Sequence, residues 1–71
     1  AGVEVVLLIR AVPEGKCKVS LRSKTEYDVD RLARRFGGGG HAKASGATLE
    51  GELGDARARL VAAALEGFPP R

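Results

Sequence analysis

The sequence predicts an α+β domain in the order β-β-α-(glycine loop)-β-α, a small mixed sheet with its helices packed mainly on one face. Three observations carry that expectation. Val3 to Arg10, VEVVLLIR, is a continuous β-branched and leucine-rich run of strand length. Lys16 to Ser23 alternates apolar and polar residues with a period of two. Two later segments, from Val29 and from Ala56, carry apolar residues at helical spacing. Between them lies Phe36 to Gly46, FGGGGHAKASG, in which four consecutive glycines run into the chain's single histidine, His41.

Taken in order, Val3 to Arg10 is too continuously apolar for a strand with one wet face, so a central strand covered on both sides is expected. Val12-Pro13-Glu14-Gly15-Lys16 reads as a hairpin connection, because proline presets φ for a turn and glycine accepts a left-handed exit. The second strand must then pair antiparallel with the first. It places Cys17, Val19 and Leu21 on one face and Lys16, Lys18, Ser20 and Arg22 on the other, about 7 Å apart per two-residue step. That second set is a donor-rich strip suited to anions.

Asp28 is a good N-cap for a helix whose apolar positions Val29, Leu32, Ala33 and Phe36 fall at i, i+3, i+4 and i+7. Gly37 supplies a left-handed C′ residue. The arginines Arg31, Arg34 and Arg35 near the helix end are accounted for by the helix dipole, which favours cations there by a few tenths to about 1 kcal/mol. His41 to Ser45 is expected as a turn or two of helix stopped by Gly46, and Ala47 to Gly51 as a third strand. Asp55 is expected to cap a last helix from Ala56 to Glu66, with Leu60, Val61, Ala64, Leu65 and then Phe68 as its buried stripe and Gly67 with Pro69-Pro70 ending it. If the second and third strands share a sheet, a right-handed crossover leaves the opposite face free for Arg22 and a ligand or partner domain.

With 71 residues the chain is one domain, of a size that buries about 60% of its unfolded surface. Its 44% apolar and 30% charged residues are ordinary for a folded domain and exclude a disordered chain. The longest apolar run, Val5 to Ile9, is far short of the roughly 20 residues that span a bilayer, so no membrane is expected. Net charge is +3, and Lys16, Lys18, Arg22, Lys24, Arg31, Arg34, Arg35 and Lys43 crowd the middle of the chain beside the glycines. Such a cluster favours phosphate-rich partners. Cys17 is the only cysteine, which excludes an internal disulfide and a cysteine-based zinc site; it is expected as a small buried hydrophobe in a reducing, cytoplasmic setting. The chain begins Ala1-Gly2 without a methionine or a basic leader, so a piece of a longer protein is expected.

Each glycine in an element costs roughly 0.5–1 kcal/mol relative to alanine, and something must offset a run of four. The expected reason is main-chain N–H groups that approach a phosphate closely, with Gly40 and His41 at the junction where the loop opens a helix. Known nucleotide signatures do not fit. Lys43 lies between Ala42 and Ala44, which breaks a P-loop, and Gly37-x-Gly39-x-x-Ala42 follows a helix where a dinucleotide fingerprint follows a strand. His41 lacks the neighbours of a metal site, which leaves phosphate binding ahead of structural capping. No set of carboxylates and histidines converges in sequence, so neither catalytic nor metal-ligating residues are expected in this chain.

Ser20-Leu21-Arg22-Ser23, then Asp28-Val29 with its helix, then Phe36 to His41 and Ala44-Ser45-Gly46-Ala47 resemble the DHHA1 domain that follows the catalytic DHH domain in DHH phosphoesterases. The oligoribonuclease and adenosine-bisphosphate phosphatase branch is the nearest in pattern, with RecJ-like exonucleases and exopolyphosphatase-related proteins as relatives. The likeness covers about Val3 to Leu65, with Ser45 where many members carry alanine. It implies that residues 1–71 form a substrate- and nucleic-acid-binding domain, a C-terminal fragment of a longer enzyme and inactive alone. Arg22, Gly38, Gly39, Gly40 and His41 would hold the phosphates of short single-stranded oligonucleotides or nucleoside bisphosphates. Mn²⁺ or Mg²⁺ and the attacking water would belong to the DHH domain, which is also the implied partner. A similar glycine-histidine element in alanyl-tRNA synthetases leaves a stand-alone nucleic-acid-binding module as an alternative, and a structural dimerisation domain as a third. With Tyr27, Phe36 and Phe68 the only aromatics, binding should be phosphate-dominated, weak and salt-sensitive.

Overall fold

The computed structural model describes residues 4–68. The elements are β1 (Val5–Val12), β2 (Lys16–Ser23), α1 (Val29–Arg34), β3 (Gly39–His41), β4 (Ala44–Glu50) and α2 (Leu53–Glu66). The four strands form one sheet in the order β1-β2-β4-β3, and every neighbouring pair is antiparallel. The α+β class and the helix-covered face agree with expectation, but the sheet is antiparallel throughout where a mixed one was expected. The difference comes from the glycine run, which forms a strand of its own and turns the third strand back against the second.

His41 to Ser45 is therefore not a helix. Gly39–His41 and Ala44–Glu50 make a hairpin across Ala42-Lys43. Five residues are too few to repay the cost of nucleating an isolated helix, whereas the adjacent strand offers ready partners. Main-chain donors pin the turn: the Val29 N–H reaches the Ala42 carbonyl and the Ser23 N–H the Lys43 carbonyl, both at 3.0 Å. The Ser45 hydroxyl donates to the His41 carbonyl at 2.7 Å.

Alternation in β2 puts Cys17, Val19 and Leu21 into the core with Leu49 of β4, Val29, Leu32 and Ala33 of α1, and Ala56, Leu60, Ala63 and Ala64 of α2. Val5, Leu7 and Ile9 of β1 pack against that cluster. At roughly 1.5–3 kcal/mol per fully buried large aliphatic side chain, Leu21 and Leu60 are among its main contributors. Asp28 caps α1 as expected, its Oδ1 accepting the Asp30 and Arg31 N–H groups at 2.9 and 3.1 Å. Gly37, at φ 81°, ends that helix in a Schellman arrangement: its N–H donates to the Arg34 carbonyl and that of Gly38 to the Ala33 carbonyl.

Three expectations about the outer elements are corrected. β1 is an edge strand, and Val6 and Leu8 on its second face are 41% and 59% exposed, because no helix covers that side among the described residues. The expected start at Val3 lies outside the described residues. α2 begins at Leu53, with Glu52 at the cap position and Asp55 inside the first turn, where the dipole favours its charge. The buried stripe follows Ala56, Leu60, Ala63 and Ala64, which leaves Leu65 58% exposed. Phe68 packs edge-on against Tyr27, with ring centroids 5.3 Å apart, and Pro69-Pro70 lie outside the described residues. No helix of the described residues is long and apolar enough to cross a membrane.

Candidate functional site

The face of the sheet turned away from the helices carries the candidate residues. Strand register arranges them in rows: Val6–Arg22–Ala44–His41, then Leu8–Ser20–Gly46–Gly39, then Arg10–Lys18–Thr48, and last Val12–Lys16–Glu50. Directly paired residues share a face. Arg22 and His41 are thus in one row, two strands and about 10 Å apart at the backbone, with only the methyl group of Ala44 between them. A guanidinium on its long stem can cross that gap; a phosphate between the two would be reached from both sides.

A shallow pocket of about 300 Å³ lies on this row, lined by Ser20, Arg22, Gly39, Ala44 and Gly46 among others. A larger groove of about 770 Å³ is centred on the core-side row Ile9–Val19–Ala47 and closed by Phe36, Gly37 and Gly38 past the end of α1. The structure therefore gathers Arg22 and Gly39 into one concavity, sets Gly38 against Ala47 on the core side, leaves His41 exposed at the end of the Arg22 row, and packs Gly40 against the backbone of β4.

Charge is distributed unevenly over the molecule. Lys16, Lys24, Arg34 and Arg35 each meet a carboxylate, from Glu50, Glu4, Asp30 and Glu66 respectively. Among the described residues Arg10, Lys18 and Arg22 form no ion pair, and the single carboxylate in these rows, Glu50, stands at the far end 4.0 Å from Lys16. The open face is left cationic.

The glycine amides behave differently from the expectation. Those of Gly37 and Gly38 close the end of α1, and that of Gly40 donates to Asp30 Oδ1 at 2.9 Å. Because successive N–H groups of a strand point to opposite sides, Gly39 and His41 then face β4, with which they pair. The expected cradle of free N–H groups at Gly40 and His41 is thus replaced by a fully used backbone. What the glycines supply is closeness and bareness. A Cβ on Gly38 would fall on the Gly46 carbonyl and 2.7 Å from the Ala47 Cβ, and one on Gly40 would lie 2.7 Å from the Ala44 carbonyl. Gly39 and Gly46, the glycines that line the pocket at Arg22, leave its floor as main chain that a ligand can approach directly.

Asp30 was not among the residues the sequence singled out. Its Oδ2 accepts the Arg34 Nε–H at 2.9 Å while Oδ1 holds Gly40. The Arg34 hydrogen bond first, then the Gly40 amide, hold its carboxyl below the ordinary Asp range. The i,i+4 spacing of Asp30 and Arg34 was visible in the sequence; the reach to a glycine ten residues on was not. Both oxygens being engaged, Asp30 is a poor metal donor, and no group of three or more His, Cys, Asp or Glu comes together among the described residues. The residues present do not fit a divalent metal site.

Known proteins share this pattern. Residues 1–67 match the family described as the DHHA1 domain. Over 66 residues the chain is 41% identical to a Thermus thermophilus protein named bifunctional oligoribonuclease and PAP phosphatase NrnA, a span of 92% of this chain and 20% of that protein. Over 40 residues it is 52% identical to the oligoribonuclease NrnB of Bacillus subtilis, 55% of this chain and 10% of that protein. The chain spans at most about a fifth of the curated relatives it matches.

Proposed function

We propose that this chain, which belongs to the DHHA1 domain family, grips the phosphates of short single-stranded oligonucleotides or nucleoside bisphosphates on the open face of its sheet. As a DHH-family accessory domain it would serve a catalytic DHH domain outside these 71 residues. The observation that carries the reading is Arg22, an uncompensated cation in register with His41 over a floor of Gly39, Ala44 and Gly46. The names of the two relatives, an oligoribonuclease and a combined oligoribonuclease and PAP phosphatase, support a nucleotide ligand.

In this reading Arg22 offers paired N–H donors to two phosphate oxygens, and His41 donates to the same group from the opposite side. Gly38 and Gly40 hold the hairpin tight against β4, and Gly39 keeps the floor bare so that the nucleotide lies close to the backbone. Asp30 fixes Gly40 and so positions His41. The chain contributes binding and orientation of the scissile phosphate, which convert an encounter into an aligned reactant. Mn²⁺ or Mg²⁺ would be held by the DHH domain and would supply the activated water there. The setting in this reading is the cytoplasm, where the lone buried Cys17 stays reduced.

The test is calorimetric titration of the chain with adenosine 3′,5′-bisphosphate. Arg22→Gln should weaken binding roughly tenfold to a hundredfold, the range for losing a charge-assisted hydrogen bond, and His41→Ala by a smaller factor. Affinity unchanged in Arg22→Gln would overturn the proposal.

A further inference from the structure

Arg10 and Lys18 have no part in the grip just described, yet they face one another directly across β1 and β2. Like charges in that relation repel, and neither is relieved by a carboxylate among the described residues. Thr48 adds a hydroxyl on the other side of Lys18. The three share the open face with Arg22, and one row, Leu8–Ser20–Gly46–Gly39, lies between them and it. Four residues of extended strand separate Arg22 from Lys18, on the order of 13 Å. One phosphate cannot touch both. A stacked strand advances about 3.4 Å per nucleotide and an extended one further, so the gap corresponds to roughly two to four nucleotide steps.

We propose that Arg10 and Lys18 form a second phosphate subsite, occupied by a phosphate further along the same strand whose first phosphate sits at Arg22, so that this face measures an oligonucleotide of several residues. The inference rests on the reading of Arg22 and His41 given above and adds length selection to it. Between the two cationic rows lies the row Leu8–Ser20–Gly46–Gly39, in which Leu8 is 59% exposed. That aliphatic side chain gives an intervening base apolar contact in any sequence. Nucleoside bisphosphates, with one nucleoside, reach only the Arg22 end.

The experiment compares pentaadenylate with adenosine 3′,5′-bisphosphate, each titrated against the chain by fluorescence anisotropy or calorimetry at several salt concentrations. Arg10→Gln/Lys18→Gln should cut pentaadenylate affinity about tenfold and flatten its salt slope by roughly 0.7–1.4, one to two phosphate contacts on a single strand. Bisphosphate affinity should stay within twofold. A charge-matched pair on the helices, Arg31→Gln/Arg57→Gln, should leave both ligands alone. Equal loss in the two double variants, equal loss on both ligands, or no loss on pentaadenylate would each overturn the subsite. Failure of the underlying grip reads differently: the wild-type chain would then bind no bisphosphate, whatever the behaviour of Arg10 and Lys18. Thermal melts of each variant separate lost binding from lost fold.

Discussion

The two faces of the sheet are built from the same strands offset by one residue, and they answer to different physics. On the covered face Cys17, Val19 and Leu21 are buried among two helices and answer to volume. On the open face Lys18, Ser20 and Arg22 of the same strand answer to charge, with nothing packed over them among the described residues. A substitution on the first should therefore be felt in stability, and on the second in binding.

The largest effect is expected from the covered face. Leu60→Ala or Leu21→Ala, each 1% exposed, should cost about 2–5 kcal/mol in denaturant melts, a large share of what so small a domain has. A cost below about 1 kcal/mol would mean that the core is not the one described. Next comes the seam between the faces. Gly38→Ala forces a methyl group into the β4 backbone and should destabilise by roughly 1–3 kcal/mol, the usual range for overpacking. Neutral behaviour would show that the hairpin is looser than this close approach implies.

Arg22→Gln sharpens the contrast from the other side. Its melting should stay within about 0.5 kcal/mol of wild type, as for an exposed residue with no partner, while ligand affinity falls. A melt shifted as far as that of Leu60→Ala would erase the distinction between the faces. The smallest effect concerns Asp30. Its pKa in the fold lies below the ordinary 3.8, so the charged carboxylate holds Gly40 above that value and releases it as pH falls through the lower folded one. The Gly40 amide proton shift, followed by NMR, should titrate with a midpoint below 3.8. A midpoint at or above it, or the same titration in Asp30→Asn, would contradict the tether.

Much of the scaffold was legible before the structure. β2 announced itself by alternation, Asp28 and Gly37 by capping chemistry, and the first hairpin by Pro13 and Gly15, because each is a local rule that tertiary contacts did not override. β3 was not legible: three residues, two of them glycine, carry no strand propensity, and only the neighbouring backbone of β4 makes them a strand. That one omission also hid the antiparallel return of β4 and the fate of the glycine amides. The exposed face of β1 was missed for a related reason, since an apolar run does not say which of its sides will be covered.

The candidate residues were partly legible. Arg22 and His41 were picked out one by one, and their alignment in a single row depended on the register of β4 between them. The glycines were singled out for their amides, whereas the fold uses those amides internally and leaves a bare surface.

The most direct measurement of the claim that the open face is the binding face is a ¹⁵N-labelled titration with adenosine 3′,5′-bisphosphate, read residue by residue. The expected result is a contiguous set of shifts at Arg22, Gly39, His41, Ala44 and Gly46, with Leu60 and Ala64 on the helical side unmoved. Shifts confined to α1 and α2, or none at saturating ligand, would contradict it.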